Sequence, residues 1–291
     1  MQYQYLIGVD GGGTGTRVIL MDREGKELAR GSAGPSGLMH GANQAWSAIL
    51  EAINMAFASI GMVRPALEVI AVGCGLAGVN NRQWAEEFKA ANPGFGRLAI
   101  ETDAGTTLLG AHGGKAGAII ALGTGSVGEV MDAAGNRREV GGWGFPSSDE
   151  ASGAWMGLRA VNHLQHALDG RAQMDMFAQS LLEFCGGSKD AVFAWLAGAT
   201  QTKFAQLAPI VVEFAEKSGK AKNILKEAGI EVEKMANALD PSGTIPIALC
   251  GGLAEVVWLY LPESLLHRVT KPKGDSALGA LILVKSQLLK S

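Results

Sequence analysis

One pattern constrains this chain more than any other, because it occurs twice, roughly 110 residues apart. An apolar strand runs into a loop of glycine with threonine or serine, and a second strand, a turn and a third strand follow. The first copy is Tyr5 to Val9, then Asp10-Gly11-Gly12-Gly13-Thr14-Gly15, Thr16 to Met21, a turn at Asp22 to Gly25, and Glu27 to Gly31. The second is Ala118 to Leu122, then Gly123-Thr124-Gly125-Ser126, Gly128 to Met131, a turn at Asp132 to Asn136, and Arg137 to Val140. A chain built this way folds as two related α/β halves, each opening with a meander whose first turn is glycine-rich.

The remaining periodicities fill in the halves. Apolar side chains at helical spacing (Trp46, Ile49, Leu50, Ile53, Phe57) predict a helix from Asn43 to Ile60, ending at Gly61. Leu67 to Val72 reads as a buried strand with Cys74 in a glycine-rich turn after it, Gln83 to Ala91 as a helix, and Arg97 to Glu101 as a strand. The break from Gly110 to Gly117 separates a first domain, 1–112, from a second, 113–276. Asp149 to Asp240 reads as largely helical, Ile245 to Leu249 as a late strand, and Ser276 to Leu289 as a closing helix.

Composition narrows the class of partner. A formal charge of -3 leaves no basic footprint for nucleic acid or an anionic membrane surface. The most apolar stretch, Ile245 to Leu261, is broken by Gly251, Gly252 and Glu255, short of a membrane span. Cys74, Cys185 and Cys250 are far apart and form no CxxC pair, so neither a disulfide framework nor a zinc site is expected. The start, MQYQYLIGVDGGG, lacks the basic and apolar regions of a secretion signal, and the expectation is a cytoplasmic protein.

The loops carry the chemistry. Glycines at a strand-to-strand turn let backbone N–H groups approach a phosphate, and Thr14 and Thr16 add hydroxyl donors. Asp10 can hold a Mg²⁺ ion directly or through water. A strand follows these glycines, not a helix, so this is not the dinucleotide fingerprint, and no Walker sequence is present. Taken singly, each loop also reads as a glycine-rich hairpin. Taken together, Gly123-Thr124-Gly125-Ser126 and the first loop are placed to cradle one polyphosphate from two sides. Asp103, just after an apolar strand, is a candidate base for a hydroxyl nucleophile, or a helix cap. Trp143, in Gly142-Trp143-Gly144, suits the apolar face of a sugar, and Asp149 and Glu150 its hydroxyls, while Ser148 is placed to cap a helix beginning at Asp149. Gly251-Gly252, after the strand Ile245 to Leu249, reads either as a place where adenine and ribose lie against backbone or as a plain turn. His163 and His166, three apart on a helix, lack a third metal ligand, and Trp46, Trp84, Trp155 and Trp195 sit at packing positions.

Asp10-Gly11-Gly12-Gly13-Thr14, Thr102-Asp103-Ala104, Gly123-Thr124-Gly125-Ser126, Gly141-Gly142-Trp143-Gly144 and Leu249-Cys250-Gly251-Gly252 resemble, in order and spacing over nearly the whole chain, the BadF/BadG/BcrA/BcrD ATPase family. Within it the likeness is to the N-acetylglucosamine kinase and glucosamine kinase branch. The resemblance implies an actin/hexokinase-like, ribonuclease H-like two-domain α/β fold with an interdomain cleft, its last helix, 277–291, returning to the first domain. It implies ATP with Mg²⁺, an amino sugar as substrate and its 6-hydroxyl as acceptor, and it allows a homodimer. Phosphates would meet Asp10, Gly12, Gly13, Thr14, Thr16 and Gly123, Thr124, Gly125, Ser126. The adenosine would lie by Gly219, Gly251 and Gly252, and the sugar by Ser36, Gly37, Asp103, Gly142, Trp143, Gly144 and Asp149, with Asp103 as the base. Gly37 and Val127 stand where relatives of this kind often carry Asn, so the N-substituent of the sugar stays open. The same fold also serves ATPase activators of 2-hydroxyacyl-CoA dehydratases, which need converging cysteines, and actin-like nucleotide switches.

Overall fold

The computed structural model describes residues 3–289, so the last two residues of the expected closing helix lie outside the described part, as do the first two of the chain. Unit 1 comprises residues up to Ala116 together with those from Lys271, and unit 2 is Gly117–Thr270. Unit 1 opens with β1 (Tyr5–Gly11), β2 (Thr16–Asp22) and β3 (Glu27–Ala33), then α1 (Ala42–Ser59), β4 (Ile70–Leu76), α2 (Arg82–Ala90), β5 (Arg97–Thr102) and α3 (Asp103–His112). Its sheet has the order β3-β2-β1-β4-β5, with β1 antiparallel to β2 and parallel to β4.

Unit 2 repeats that plan. It runs β6 (Gly117–Leu122), β7 (Ser126–Met131), β8 (Arg137–Gly141), α4 (Gly153–Leu168), α5 (Met176–Phe184), α6 (Lys189–Ala197), α7 (Gln201–Ala205), α8 (Ala208–Glu213) and α9 (Gly219–Leu239). It finishes with β9 (Ile247–Cys250), α10 (Ala254–Trp258), α11 (Glu263–Leu266) and β10 (Val269–Thr270). The sheet order β10-β9-β6-β7-β8 matches that of unit 1 strand for strand. The chain then ends with α12 (Ser276–Leu288), which packs on α3, β1 and β4 within unit 1.

Strand alternation explains how the sheet of unit 1 is covered on both faces. Ile7 and Val9 point toward Trp46, Ile49, Ile53 and Phe57 of α1. Leu6 points the other way, toward Ala277, Leu281 and Val284 of α12. Gly8 and Gly73 lie on the α12 face, where an added Cβ would stand 2.0 Å from the carbonyls of Ala277 and Ala280 respectively. Those glycines let a helix backbone lie directly on the strands. The same alternation points Asp10 toward the start of α12, whose N-terminus favours a negative charge.

Several boundaries differ from the sequence reading. Leu67–Val69 is a short 3-10 turn and the strand runs on to Leu76, so Cys74 is a fully buried core residue of β4 and not part of a turn. The neighbouring Gly73 and Gly75 serve helix packing, which mimics a turn in composition. The helix expected at Asp149 begins instead at Gly153, capped by Ser152, whose Oγ accepts the N–H of Trp155 at 3.2 Å. Asp149 and Ala151 precede it with φ of 64° and 65°, a left-handed turn that a serine cap four residues earlier could not foretell. Among the described residues no helix is long and apolar enough to cross a membrane.

Candidate functional site

In unit 1 the loop between β1 and β2 is fastened at its base and open at its tip. Gly12 N–H donates to Gly15 O at 3.0 Å, and the amides of Ser36 and Gly37 both donate to Gly12 O, at 3.2 and 3.1 Å. Thr16 and Ser36 are fully buried and share a hydrogen bond of 2.7 Å, and the Thr16 hydroxyl also donates to Gly34 O at 2.6 Å. Both hydroxyls therefore pin the loop from beneath. Gly11 must lack a Cβ because one would lie 2.1 Å from Ser36 Oγ. Gly13 and Thr14 are exposed, and a Cβ at Gly12 or Gly13 would meet no atom within 4 Å.

Beside this loop stand three carboxylates. Asp10 pairs with Arg17 at 2.9 Å, although the Arg17 side chain is 75% exposed. Burial pushes the Asp10 carboxyl up; Arg17 and a hydrogen bond from Ser276 oppose this, and the charges of Asp103 and Asp275 add to it, leaving the pKa raised. Asp103 is exposed and is the first residue of α3, with Thr102 as the cap accepting Gly105 N–H at 3.0 Å. The cap is thus the threonine, and the carboxylate of Asp103 faces solvent at a helix N-terminus. Hydroxyls link Asp10 to α3, the helix that Asp103 begins: Ser276 bonds Asp10, and its Oγ lies 2.8 Å from Thr106 Oγ1 on α3. Asp275 caps α12 and pairs with Arg30 at 2.8 Å. Asp275 and Ser276 are neighbours of Asp10 that the sequence reading passed over. Their only signal was Asp-Ser ahead of an apolar run, which reads as a helix start.

Unit 2 holds its loop differently. The first amides of α4, at Gly153 and Ala154, donate to Gly123 O and Thr124 O at 2.8 and 3.2 Å. Ser126 Oγ donates to Glu150 O at 2.7 Å. Gly251 (φ 91°) closes against the end of β6, a Cβ there lying 2.4 Å from Leu122 O. Thr124 remains exposed. Asp149, 4% exposed, accepts the side-chain amide of Gln201 at 2.6 Å. Burial nevertheless leaves its pKa raised.

Gly142 (φ 71°) and Gly144 (φ 94°) flank Trp143, whose side chain is left 87% exposed. Gly252 is exposed beside Gly251. Gly219 begins α9; Ser218 before it donates to Asp175 Oδ2 at 3.1 Å, and His163 Nε2 lies 3.3 Å from Asp175 Oδ1. So His163 is a bonded interior histidine. The thiols are buried and separate, and burial raises all three, Cys250 to about 11. Among the described residues no group of three or more His, Cys, Asp or Glu side chains could hold a metal ion by itself.

With this geometry in place, the likeness to known proteins can be stated. The sequence profile of the BadF/BadG/BcrA/BcrD ATPase family matches residues 7–283. The glucosamine kinase of Vibrio cholerae is 31% identical over 280 residues, which cover 96% of this chain and 95% of that one. A crystal structure from Chromobacterium violaceum, provisionally named an N-acetylglucosamine kinase, is 48% identical with a TM-score of 0.93, covering 98% of this chain and 100% of that one. A Streptomyces griseus ROK family glucokinase in complex with glucose and AMPPNP matches at a TM-score of 0.57 and 18% identity over 97% and 98% of the two chains, which shows a shared hexokinase-like fold.

Proposed function

The chain belongs to the BadF/BadG/BcrA/BcrD ATPase family, and from that premise we propose that it is an ATP-dependent kinase of an amino sugar, glucosamine or N-acetylglucosamine, acting at the 6-hydroxyl. The observation that carries this reading is the exposed carboxylate of Asp103 beside the loop that follows Asp10. Phosphoryl transfer asks little covalent chemistry of a protein: it asks for an oriented acceptor, a place for its proton, and fixed donors for the phosphates. Asp103 takes the proton from the sugar hydroxyl as the oxygen attacks the γ-phosphorus, and the bond from that phosphorus to the β,γ-bridging oxygen breaks to release ADP. Ser276 and Thr106 hold α3 and Asp10 in register.

The amides and threonines of the two glycine loops receive the phosphates, with Gly12, Gly13 and Thr14 in unit 1 and Gly123 to Ser126 in unit 2. Asp10 fits a Mg²⁺ ion brought by the nucleotide, since it is a desolvated carboxylate crowded by Asp103 and Asp275. Such an ion supplies neutralisation of phosphate charge. The sugar lies by Gly37, Gly142, Trp143, Gly144 and Asp149, the indole of Trp143 covering its apolar face. The adenosine lies by Gly251 and Gly252, and Gly219 at the start of α9 is assigned to it as well.

The test is ADP release over glucose, glucosamine, N-acetylglucosamine and N-acetylmannosamine, with Mg-ATP and a control without sugar. Strong stimulation by glucosamine or N-acetylglucosamine is expected and names the N-substituent. Steady hydrolysis that no sugar stimulates would defeat the kinase reading.

A further inference from the structure

Gln201 stands at the start of α7, a helix of only one turn whose place is nonetheless fixed. Phe204, 8% exposed, anchors it between the rings of Phe145 and Trp195, with centroids 5.1 and 5.3 Å away. Its backbone lies directly on α4, where a Cβ at Gly157 would stand 1.9 Å from Phe204 O. From this anchored turn the amide of Gln201 reaches Asp149 at 2.6 Å, a short, charge-assisted bond in which the carboxylate can only accept. Asp149 in turn packs directly against the glycine-threonine loop at Gly125. No slack exists between them: a Cβ at Gly125 would lie 2.8 Å from Asp149 Oδ2 and 3.0 Å from Gln201 Nε2.

We propose that Gln201 is a positioning residue for nucleotide binding, its amide holding the Asp149 carboxylate and, through it, the Gly123–Ser126 loop in the shape that receives phosphate. The proposal rests on the assignment of that loop to phosphate. Asp149 adopts φ 64°, an uncommon conformation for a residue with a side chain, and the Gln201 amide on one side and the packed loop on the other hold it there. The nearby charges are Glu150, which accepts from Ser148 Oγ at 3.1 Å, and Arg159 of α4, which lies over the Trp155 ring and pairs with Glu227. Lys203 of α7 reaches toward Gly198 instead. Gln201 is therefore the donor that α7 offers to Asp149, and a carboxylate in its place would have to be protonated to do the same.

That requirement gives the test. Affinity for a fluorescent ATP analogue is measured on the full chain at pH 5.5 and pH 8, always relative to wild type at the same pH, alongside the melting temperature. Gln201→Leu should bind about tenfold more weakly at both pH values, the weight of one hydrogen bond to a charged group. Gln201→Glu should bind within about threefold of wild type at pH 5.5, where a protonated Glu donates to Asp149, and about tenfold more weakly at pH 8, where two carboxylates oppose. Asp149→Asn combined with Gln201→Glu should recover at pH 8, because the new amide donates to the new carboxylate.

A merely structural side chain would lower the melting temperature without this pH contrast or this rescue. Thr124→Ala separates the two ways to fail. If it weakens the analogue while Gln201→Glu shows no pH contrast, the positioning role is wrong and the phosphate loop stands. If neither variant affects the analogue, the loop assignment falls and this inference falls with it.

Discussion

The two glycine loops occupy equivalent places in two sheets of identical order, yet they are held by opposite means. The loop after β1 is tied at its base by buried hydroxyls, opens into free space at Gly12 and Gly13, and borders three carboxylates. The loop after β6 is clamped on its carbonyls by the first amides of α4 and lies against Asp149, with no room for a side chain at Gly125. The backbone device is the same in both and its surroundings divide. One copy has carboxylates beside an open turn, and the other has its backbone fixed in place.

That division can be broken most severely at the charged loop. Asp10→Ala should lower phosphoryl transfer about 100-fold or more, because it removes the carboxylate where positive charge is to be held. Thr124→Ala should raise the ATP concentration for half-maximal rate by only about tenfold, since it deletes one donor among several; steady-state kinetics on both variants gives the contrast. Equal losses would mean that the two loops do the same work.

Ion pairs sharpen the comparison next. Arg17 of the Asp10 pair is exposed, whereas Asp240 and Arg268 in unit 2 are 5% and 6% exposed and lie 2.9 Å apart. Arg268→Ala should cost about 3–5 kcal/mol in denaturant unfolding by stranding a buried carboxylate, against less than about 1 kcal/mol for Arg17→Ala. Burial works against the charged form of Asp240, but the N–H groups of Ile245, Thr244 and Ser242 and the Ser242 hydroxyl prevail and hold it at about 2. An unfolded aspartate titrates near about 3.9. Its stabilisation is therefore complete above that value and is lost as the pH falls through about 2. Asp240→Asn should flatten the unfolding free energy across that window.

The smallest difference lies in the glycines. Gly125→Ala must displace Asp149 or Gln201 and should cost about 1–3 kcal/mol, while Gly13→Ala, with open space around it, should leave the melting temperature unchanged. A similar drop for both would show that the first loop is as tightly held as the second.

The sequence made the duplication, both meanders and the exposed loops legible, because glycine clusters and strand alternation are local signals. It misled where a glycine served packing. Gly73 and Gly75 looked like turn residues around Cys74, but they let α12 and Thr106 approach β4. It also misled where two serines four residues apart could both cap one helix: Ser152 does so, and Asp149 is left in a left-handed turn. Ser276 and Gln201 were invisible for a further reason. Each touches its aspartate only after a long excursion of chain, across 266 residues from Asp10 and 52 from Asp149, and pairing at such range leaves no trace in spacing.

The central claim is that this chain transfers phosphate to an amino sugar with Asp103 as the base. Asp103→Asn tests it directly, by measuring the single-turnover transfer rate and the nucleotide affinity of the same preparation. The account predicts that transfer falls by about 10²–10⁴-fold, the weight of a general base, while affinity for ATP stays within about threefold and the melting temperature is unchanged. Full transfer by that variant would contradict it.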